Sequence, residues 1–597
     1  MAMIRGGLPT VPPAWALLQR QLLGAMGAAG EAFVARYTHP DGSLIWRESW
    51  PGMDGSDDGY ESFGNFALYY ALGGAERYLR LARDEWEAVT RQFSAYGQVH
   101  REFDAYYDWM HHGESYTYLY FLGLADPSDT AFRERARRFA AMYTGDDPEA
   151  PNYDPQRRLI RSPINGSRGP RFENSALDWV THRPVLAGYP PPFEDIPGAP
   201  GPLCDWNDDT IFGEVLTRLN ARMMRGDVPL NLSSTSLMTH AFLLTGEARY
   251  RDWVLDYTAA WRDRAASNGG LIPDNVGLSG EIGECLDGKW YGGYYGYRWP
   301  HGIMTVLEPV MIAAANCLLL SGDWSWLDFP RGQLDRLVAQ GQRRDGLLLV
   351  PHRHGDAGWY DFRPLHPRFH TYLWYLSQDP ADWERLTALG PRDDWDTVHG
   401  RRGKCDQEHA GCWVRYLEGR LPAYPELILR ANYTEMLRRL ALIDADHTTV
   451  DGQDVHHWQE RNPVSTEALV HLTLGGPQFI YHGGLLHVRL RYFDPANQRA
   501  GLPPDVAALV ERVAADETTV CLHNLDPLAR RTVILRAGAF GEHRFGQVAP
   551  EGGEPVAVNA SWLEVELAPG AALRLNLAME RYVATPTYRQ PWARVEA

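Results

Sequence analysis

Apolar and aromatic positions recur every third or fourth residue through most of the chain, in segments that come in pairs. Leu79, Ala82, Trp86, Val89 and Phe93 share one helical face. So do Phe132, Ala136, Phe139, Ala140 and Tyr143, and again Tyr250, Trp253, Val254, Tyr257 and Trp261. Arg, Asp and Glu occupy the opposite faces, as on helices that keep one side in water. The segments that precede these helices have no polar face: 66–70, 237–244 and 304–320 are apolar all round. Such helices are buried on both sides. Short turns join the partners, at 71–74, 122–126, 244–247, 320–323, 376–379 and 417–419. Most carry a glycine where a helix C-cap favours a left-handed residue.

Inner helices alternating with one-sided outer helices predict a mainly α fold, an (α/α)6-type toroid of six or seven hairpins. Helices 13–36 and 424–443 are expected to close it. Neither end carries a polar capping repeat, which disfavours an open solenoid. After about residue 445 the texture changes to short alternating or apolar runs broken by Gly, Pro, Asn and Asp: 479–481, 485–490, 518–522, 531–535, 562–567 and 568–577. That is the pattern of an antiparallel β-sandwich. The expected domains are a catalytic toroid, 1–444, and a sandwich, 445–597.

In a toroid the inner helices run one way, so the loops entering them share a rim. Chemically capable residues gather in those loops. They are 54–61 with Asp58, 108–114, 205–209 with Trp206, Asp208 and Asp209, 281–284 with Glu284, 290–301, 366–370 and 406–409. Acids before a helix are also ordinary N-caps. Capping does not explain the aromatic rings beside them, whereas acids between stacking rings suit glycoside cleavage, where one carboxyl protonates the leaving oxygen and another attacks or activates water. Asp58 and Asp209 are the first choice for that pair, with Glu284 and Asp208 in reserve. The stretch 290–301 sets three glycines among four tyrosines, which predicts a tight fold exposing the rings. Trp206, Trp290, Tyr294, Arg298, His301, Trp359 and His370 are expected to line a sugar site. A lyase is the alternative, with Tyr297 or His301 as base and Arg298 gripping a carboxylate. A non-catalytic glycan-binding protein is the third.

Composition narrows the partners. The 597 residues carry a net charge of -18, which disfavours nucleic acid. The 21 Trp and 30 Tyr suit a carbohydrate partner. The apolar runs read as too short for a membrane span. The start of the chain has no basic-then-apolar leader. Six scattered cysteines do not form a disulfide framework. Together these predict a cytoplasmic protein, or a secreted one whose signal is absent from this sequence. No cofactor is expected, since no dinucleotide fingerprint, P-loop or serine elbow occurs. No metal is expected either. The turn at 54–61 resembles a calcium loop, and Cys405, Glu408, His409 and Cys412 have helical zinc-ligand spacing, but capping acids and buried thiols account for both. His352, His354, His366 and His370 are covered by the rim reading.

A helical toroid followed by a β-sandwich resembles the α/α-toroid carbohydrate-active enzymes. These include unsaturated glucuronyl hydrolases and other glycosidases, and chondroitin- and heparin-type lyases. The likeness rests on repeat texture over roughly residues 10–445, in phrases such as 242–250 and 268–273. No single family's catalytic motif matches, so no site residue follows from it.

Overall fold

The computed structural model describes residues 1–199, 201–390, 393–400 and 409–593. Among these, seven inner helical elements alternate with seven outer ones. The inner elements are Ser56–Glu61 with Asn65–Ala71, Trp109–Ala125, Pro229–Ser234 continuing into Thr235–Thr245, Met304–Ser321, Arg368–Ser377, Ala410–Leu417, and Glu467–Leu469 continuing into Val470–Leu474. The outer helices are Ala14–Tyr37, Arg77–Tyr96, Thr130–Thr144, Ala248–Ser267, Asp328–Ala339, Pro380–Thr387 and Tyr424–Asp444.

The amphipathic pattern forces this arrangement. On Arg77–Tyr96, Tyr78, Ala82, Trp86, Val89 and Phe93 are fully buried. Each large side chain there contributes about 2 kcal/mol through its removal from water. Met304–Ser321 is buried along its length. It is long and apolar enough to cross a membrane, with mean hydropathy 1.6, contrary to the sequence reading. Here it serves as a core helix, 89% buried inside the protein. Gly246, Gly322 and Gly419 end their helices at φ near +70°, as the turns predicted. Gly123 does not: helix Trp109–Ala125 runs past it, and a Cβ there would sit 2.8 Å from the His240 ring and 3.0 Å from Tyr588.

The two ends of the helical region meet. Ala14–Tyr37 packs along Tyr424–Asp444. The segment beyond them returns to the first inner element, where Asn462 donates to Asn65 Oδ1 (3.0 Å) and Asn65 to the Val464 carbonyl (2.6 Å).

Two sheets follow, whose strands lie side by side in the order Ala2–Gly6, Trp562–Leu567, Arg531–Ala537, Leu490–Asp494, Arg499–Ala500 and in the order Val506–Val513, Glu517–Asn524, Ala571–Glu580, Arg544–Pro550, Val556–Ala560. Leu563, Val565 and Leu567 from one and Leu573, Leu575 and Leu577 from the other alternate inward, as a sandwich requires. The boundary at 444/445 is corrected at both ends. Ala2–Gly6 joins the sandwich, pairing parallel with Trp562–Leu567. Residues 445–489 belong with the helices: the expected strands at 479–481 and 485–490 are loop up to Leu490, held by side-chain and helix-end contacts instead of a ladder. A β-hairpin, Leu347–Gly355 with Gly358–Pro364, also interrupts the helical region.

Candidate active site

Asp104 locks the first two inner helices together. Its carboxylate accepts hydrogen bonds from Ser56 Oγ (2.8 Å) and Tyr116 OH (3.0 Å) and contacts His112 Nδ1 at 3.0 Å. Ser56 opens the short helix bearing Asp57 and Asp58, and His112 and Tyr116 lie on the helix bearing His111 and Glu114. The lock therefore fixes those four groups relative to one another. Asp57, His111 and Glu114 are buried, and one ligand atom from each lies within 4.8 Å of the other two. Asp54, Asp57 and Asp58 form a second such group.

Asp108 caps helix Trp109–Ala125, accepting from Met110 N and His111 N, and its side chain also bonds His111 Nδ1 (2.9 Å) and Tyr294 OH (3.0 Å). Burial works to raise the Asp108 carboxyl, but the His111 charge and these hydrogen bonds hold it below the usual range. Burial likewise works to lower His111, yet Asp108, Glu114 and Asp54 lift it to about 9. His111 is thus an imidazolium at neutral pH, stacked at 4.1 Å on Tyr107. Either acidic group has metal-ligand spacing, and Nε2 is the ring nitrogen that Asp108 leaves for a cation. The carboxylates that hold a second proton on His111 would attract a cation in its place.

A second half of the cluster comes from further along the chain. Glu308, near the start of Met304–Ser321, is ion-paired with Arg368 Nη2 (2.7 Å) and hydrogen-bonded with His482 Nδ1. Burial opposes its charge, and Arg368 and His482 outweigh that, holding Glu308 ionised. His482 lies 3.5 Å from Glu114 and, despite burial, is raised to about 9 by Glu308 and Glu114. Gly113 makes this possible: a Cβ there would lie 2.3 Å from the His482 carbonyl oxygen. His301 also borders the cluster, pushed down to about 4 by burial and by the nearby His482 charge. Tyr481 bonds Glu61, and Gln459 bonds both Asp58 and Glu61.

Of the sequence candidates, Asp58, His301 and Tyr294 join this cluster, the last through Asp108. The others are placed elsewhere. Asp209 opens a helix, Asp209–Arg222, inserted before the third inner element; its side chain is 92% exposed and paired with Arg183 at 2.6 Å. Asp208 is that helix's N-cap, accepting from Thr210 N and Ile211 N. Glu284 is exposed and closes its own turn on Ser279 (2.6 Å). Trp206 is fully buried, stacked on Trp299 at 5.6 Å. Arg298 is tied to Glu194 and the Pro191 carbonyl, away from the acids.

The glycine stretch 290–301 is wound around the buried Asp274 carboxylate, which accepts from Gly292 N, Gly293 N and Tyr297 N at 2.8–3.0 Å. A Cβ on Gly296 would fall 2.1 Å from Asp274 Oδ2. The turn buries Tyr294, Tyr295 and Tyr297 where exposure was expected, and Tyr297 OH donates to the Ile272 carbonyl (3.0 Å). Trp290 and Trp359 form a separate aromatic patch with His354. His370 is buried on the side of Asp335 and Asp382 and lowered to about 4 by that burial. Cys405 and Glu408 lie outside the described residues. His409 bonds Glu467 (2.9 Å) and Cys412 the Thr397 carbonyl, contacts that suit structure.

Sequence reasoning passed over Glu308, His482, Tyr481 and Gln459. Glu308 had a signal: it is the one acid in an otherwise apolar inner helix.

Comparison with solved structures returns helical carbohydrate-active enzymes at low similarity. A UGL variant with dGlcA-Glc-Rha-Glc aligns at 12% identity over 76% of this chain and 96% of that one, TM-score 0.35. D-mannose isomerase aligns at 11% over 64% and 87%, TM-score 0.31. An inactive variant of the α-1,6-mannanase GH76A of Salegentibacter sp. HEL1_6, in complex with α-1,6-mannotetrose, aligns at 12% over 63% and 85%, TM-score 0.30. No curated protein matches the sequence. Residues 4–347 and 342–470 match a family described as a domain of unknown function, DUF8034, and the chain belongs to that family.

Proposed function

We propose that the protein is a carbohydrate-active enzyme that hydrolyses glycosidic bonds, with Asp57 and Glu114 as the reacting carboxyl pair. The supporting observation is the convergence of Asp57, Glu114 and His111 within 4.8 Å near the starts of the first two inner helices. Nearest atoms no more than 4.8 Å apart are compatible with double-displacement glycoside cleavage, whose carboxyl groups stand ~5 Å apart. One carboxyl protonates the leaving oxygen while the other attacks the sugar carbon. Water then releases the sugar, with the first carboxyl acting as base. The His111 charge holds Asp108 ionised beside the pair. Asp58, Glu61 and Gln459 form one polar wall for sugar hydroxyls. Half-buried rings flank the cluster: Trp50 against Gly55, and Tyr189 at 5.2 Å from His301. Flat apolar faces of this kind stack on sugar rings.

The lyase alternative loses Tyr297 and Arg298, which are tied to Ile272 and Glu194. A second reading, proton transfer at a sugar carbon, draws on His301 near 4 and His482 near 9, two imidazoles held in opposite states. Products separate these chemistries. An oligosaccharide panel that includes uronate-containing members, digested in heavy-oxygen water, should yield new reducing ends carrying the label. Ultraviolet absorbance from an unsaturated sugar, or an isomerised sugar with no new reducing end, would overturn hydrolysis.

A further inference from the structure

The seam between the helical region and the β-sandwich holds a second concentration of buried charge, of opposite sign to the first. Arg489, Arg491, Arg536, His487 and His543 are each 3% exposed or less. Arg491 satisfies itself on the carbonyls of Leu124 (2.8 Å) and Ala539 (3.2 Å). Arg536 reaches the carbonyls of Phe540 (2.6 Å) and Thr587 (2.7 Å) through Nη2, which leaves Nε and Nη1 without partners. Arg489 is barer still: Nε and Nη2 have no partner, and its guanidinium carbon lies 5.4 Å from the Tyr375 ring. His487 Nδ1 is also without a partner.

Glu542 is the carboxyl group that shares this cluster. It accepts from Phe540 N (2.7 Å) and Ala539 N (3.3 Å), and burial pushes it up to about 7, so it is a weak counter-charge. A guanidinium keeps its proton even when buried. Neutral carbonyls satisfy its geometry and leave its charge uncompensated. Unpartnered donors on Arg489 and Arg536, with His487 Nδ1 beside them, around a net positive centre call for an acceptor, and a negative one also offsets the charge.

We propose that a small monovalent anion of chloride size binds in this seam on Arg489, with His487 and His543 beside it. Such an ion would couple the sandwich to the loop 475–489 that carries His482, because Arg489 ends that loop and its carbonyl accepts from Gly538 N at 2.8 Å. The role is independent of the reaction assigned to the active site.

Crystals of the full chain grown with millimolar bromide test it by anomalous scattering. The expected result is one peak within hydrogen-bonding distance of Arg489 Nε or Nη2. Thermal unfolding in sodium bromide or chloride, against sodium gluconate at equal ionic strength, should show a midpoint about 2 °C or more higher in halide. Arg489→Met keeps the side-chain volume without the charge and should lose both the peak and the halide dependence. Ordered water without anomalous signal at Arg489, or a wild-type midpoint indifferent to halide, would overturn the proposal.

Discussion

Replacing Gly113 by alanine tests how the active-site cluster is held. The added Cβ would lie 2.3 Å from the His482 carbonyl oxygen, 2.4 Å from its carbonyl carbon and 2.8 Å from Gly483 N. All three are backbone atoms, so no side-chain rotation relieves the overlap, and the loop must retreat by about 1 Å to reach ordinary contact. That retreat carries His482 away from Glu308 and Glu114. Two stability effects oppose each other: alanine gains about 1 kcal/mol of helix propensity at an interior position, and overpacking costs roughly 1–3 kcal/mol. The net loss of stability should therefore stay under about 2 kcal/mol. Activity should fall about 100-fold, the usual consequence of an ångström-scale misplacement in a catalytic constellation. Gly24→Ala is the control. Its Cβ meets nothing within 4 Å, so it should gain roughly 0.5–1 kcal/mol with unchanged turnover. Unfolding midpoints and kcat/KM on a glycoside cleaved by the wild type measure both effects. A Gly113→Ala enzyme with full activity would refute the claim that this glycine seats His482.

Two further outcomes follow from buried titratable groups. Glu85, 2% exposed and with Oε2 unpartnered, is raised to about 8 by burial. Its folded form holds the proton that the unfolded chain releases near 4.5, so stability should decline between about pH 4.5 and 8, by up to about 1.4 kcal/mol per unit. Glu85→Gln should flatten that slope in denaturant titrations; an unchanged slope would mean that Glu85 does not carry it. His111 and His482 are raised to about 9, so their ion pairs contribute fully below the unfolded value of 6.5 and are lost as pH rises through 9. Activity should fall with them on the alkaline side, and a flat profile to pH 10 would contradict the imidazolium assignment.

Periodicity carried the fold because burial of one face is what the structure uses. Tyr250, Trp253, Val254, Tyr257 and Trp261 are buried as the 3.6-residue pattern required, apart from a small exposed edge on Trp253. The strand reading failed at 485–490, where a run apolar enough for a sandwich strand, with His487 within it, is packed as loop between two domains. Apolar content alone cannot separate those environments. In the first two loops the acids brought together around Asp104 are Asp57, next to the chosen Asp58, and Glu114, neither of which the sequence singled out. The rim argument failed for Asp208, Asp209 and Glu284 because an inserted helix and a self-closed turn imitate the same local pattern of acid beside ring. His482 and Gln459 were out of reach, since their place depends on a chain return some 400 residues later in sequence than Asp58.

The most direct test of the central claim is kcat/KM for two variants measured side by side on one hydrolysed glycoside. Asp57→Asn removes a carboxyl that the fold buries against Glu114 and His111. Asp209→Asn removes one exposed beside Arg183, in a place the sequence alone could not distinguish. Loss of a reacting carboxyl should lower kcat/KM by roughly 1,000-fold or more in Asp57→Asn. Asp209→Asn should stay within a factor of about two of wild type, as an exposed surface change does. An active Asp57→Asn enzyme beside an inactive Asp209→Asn enzyme would contradict the account.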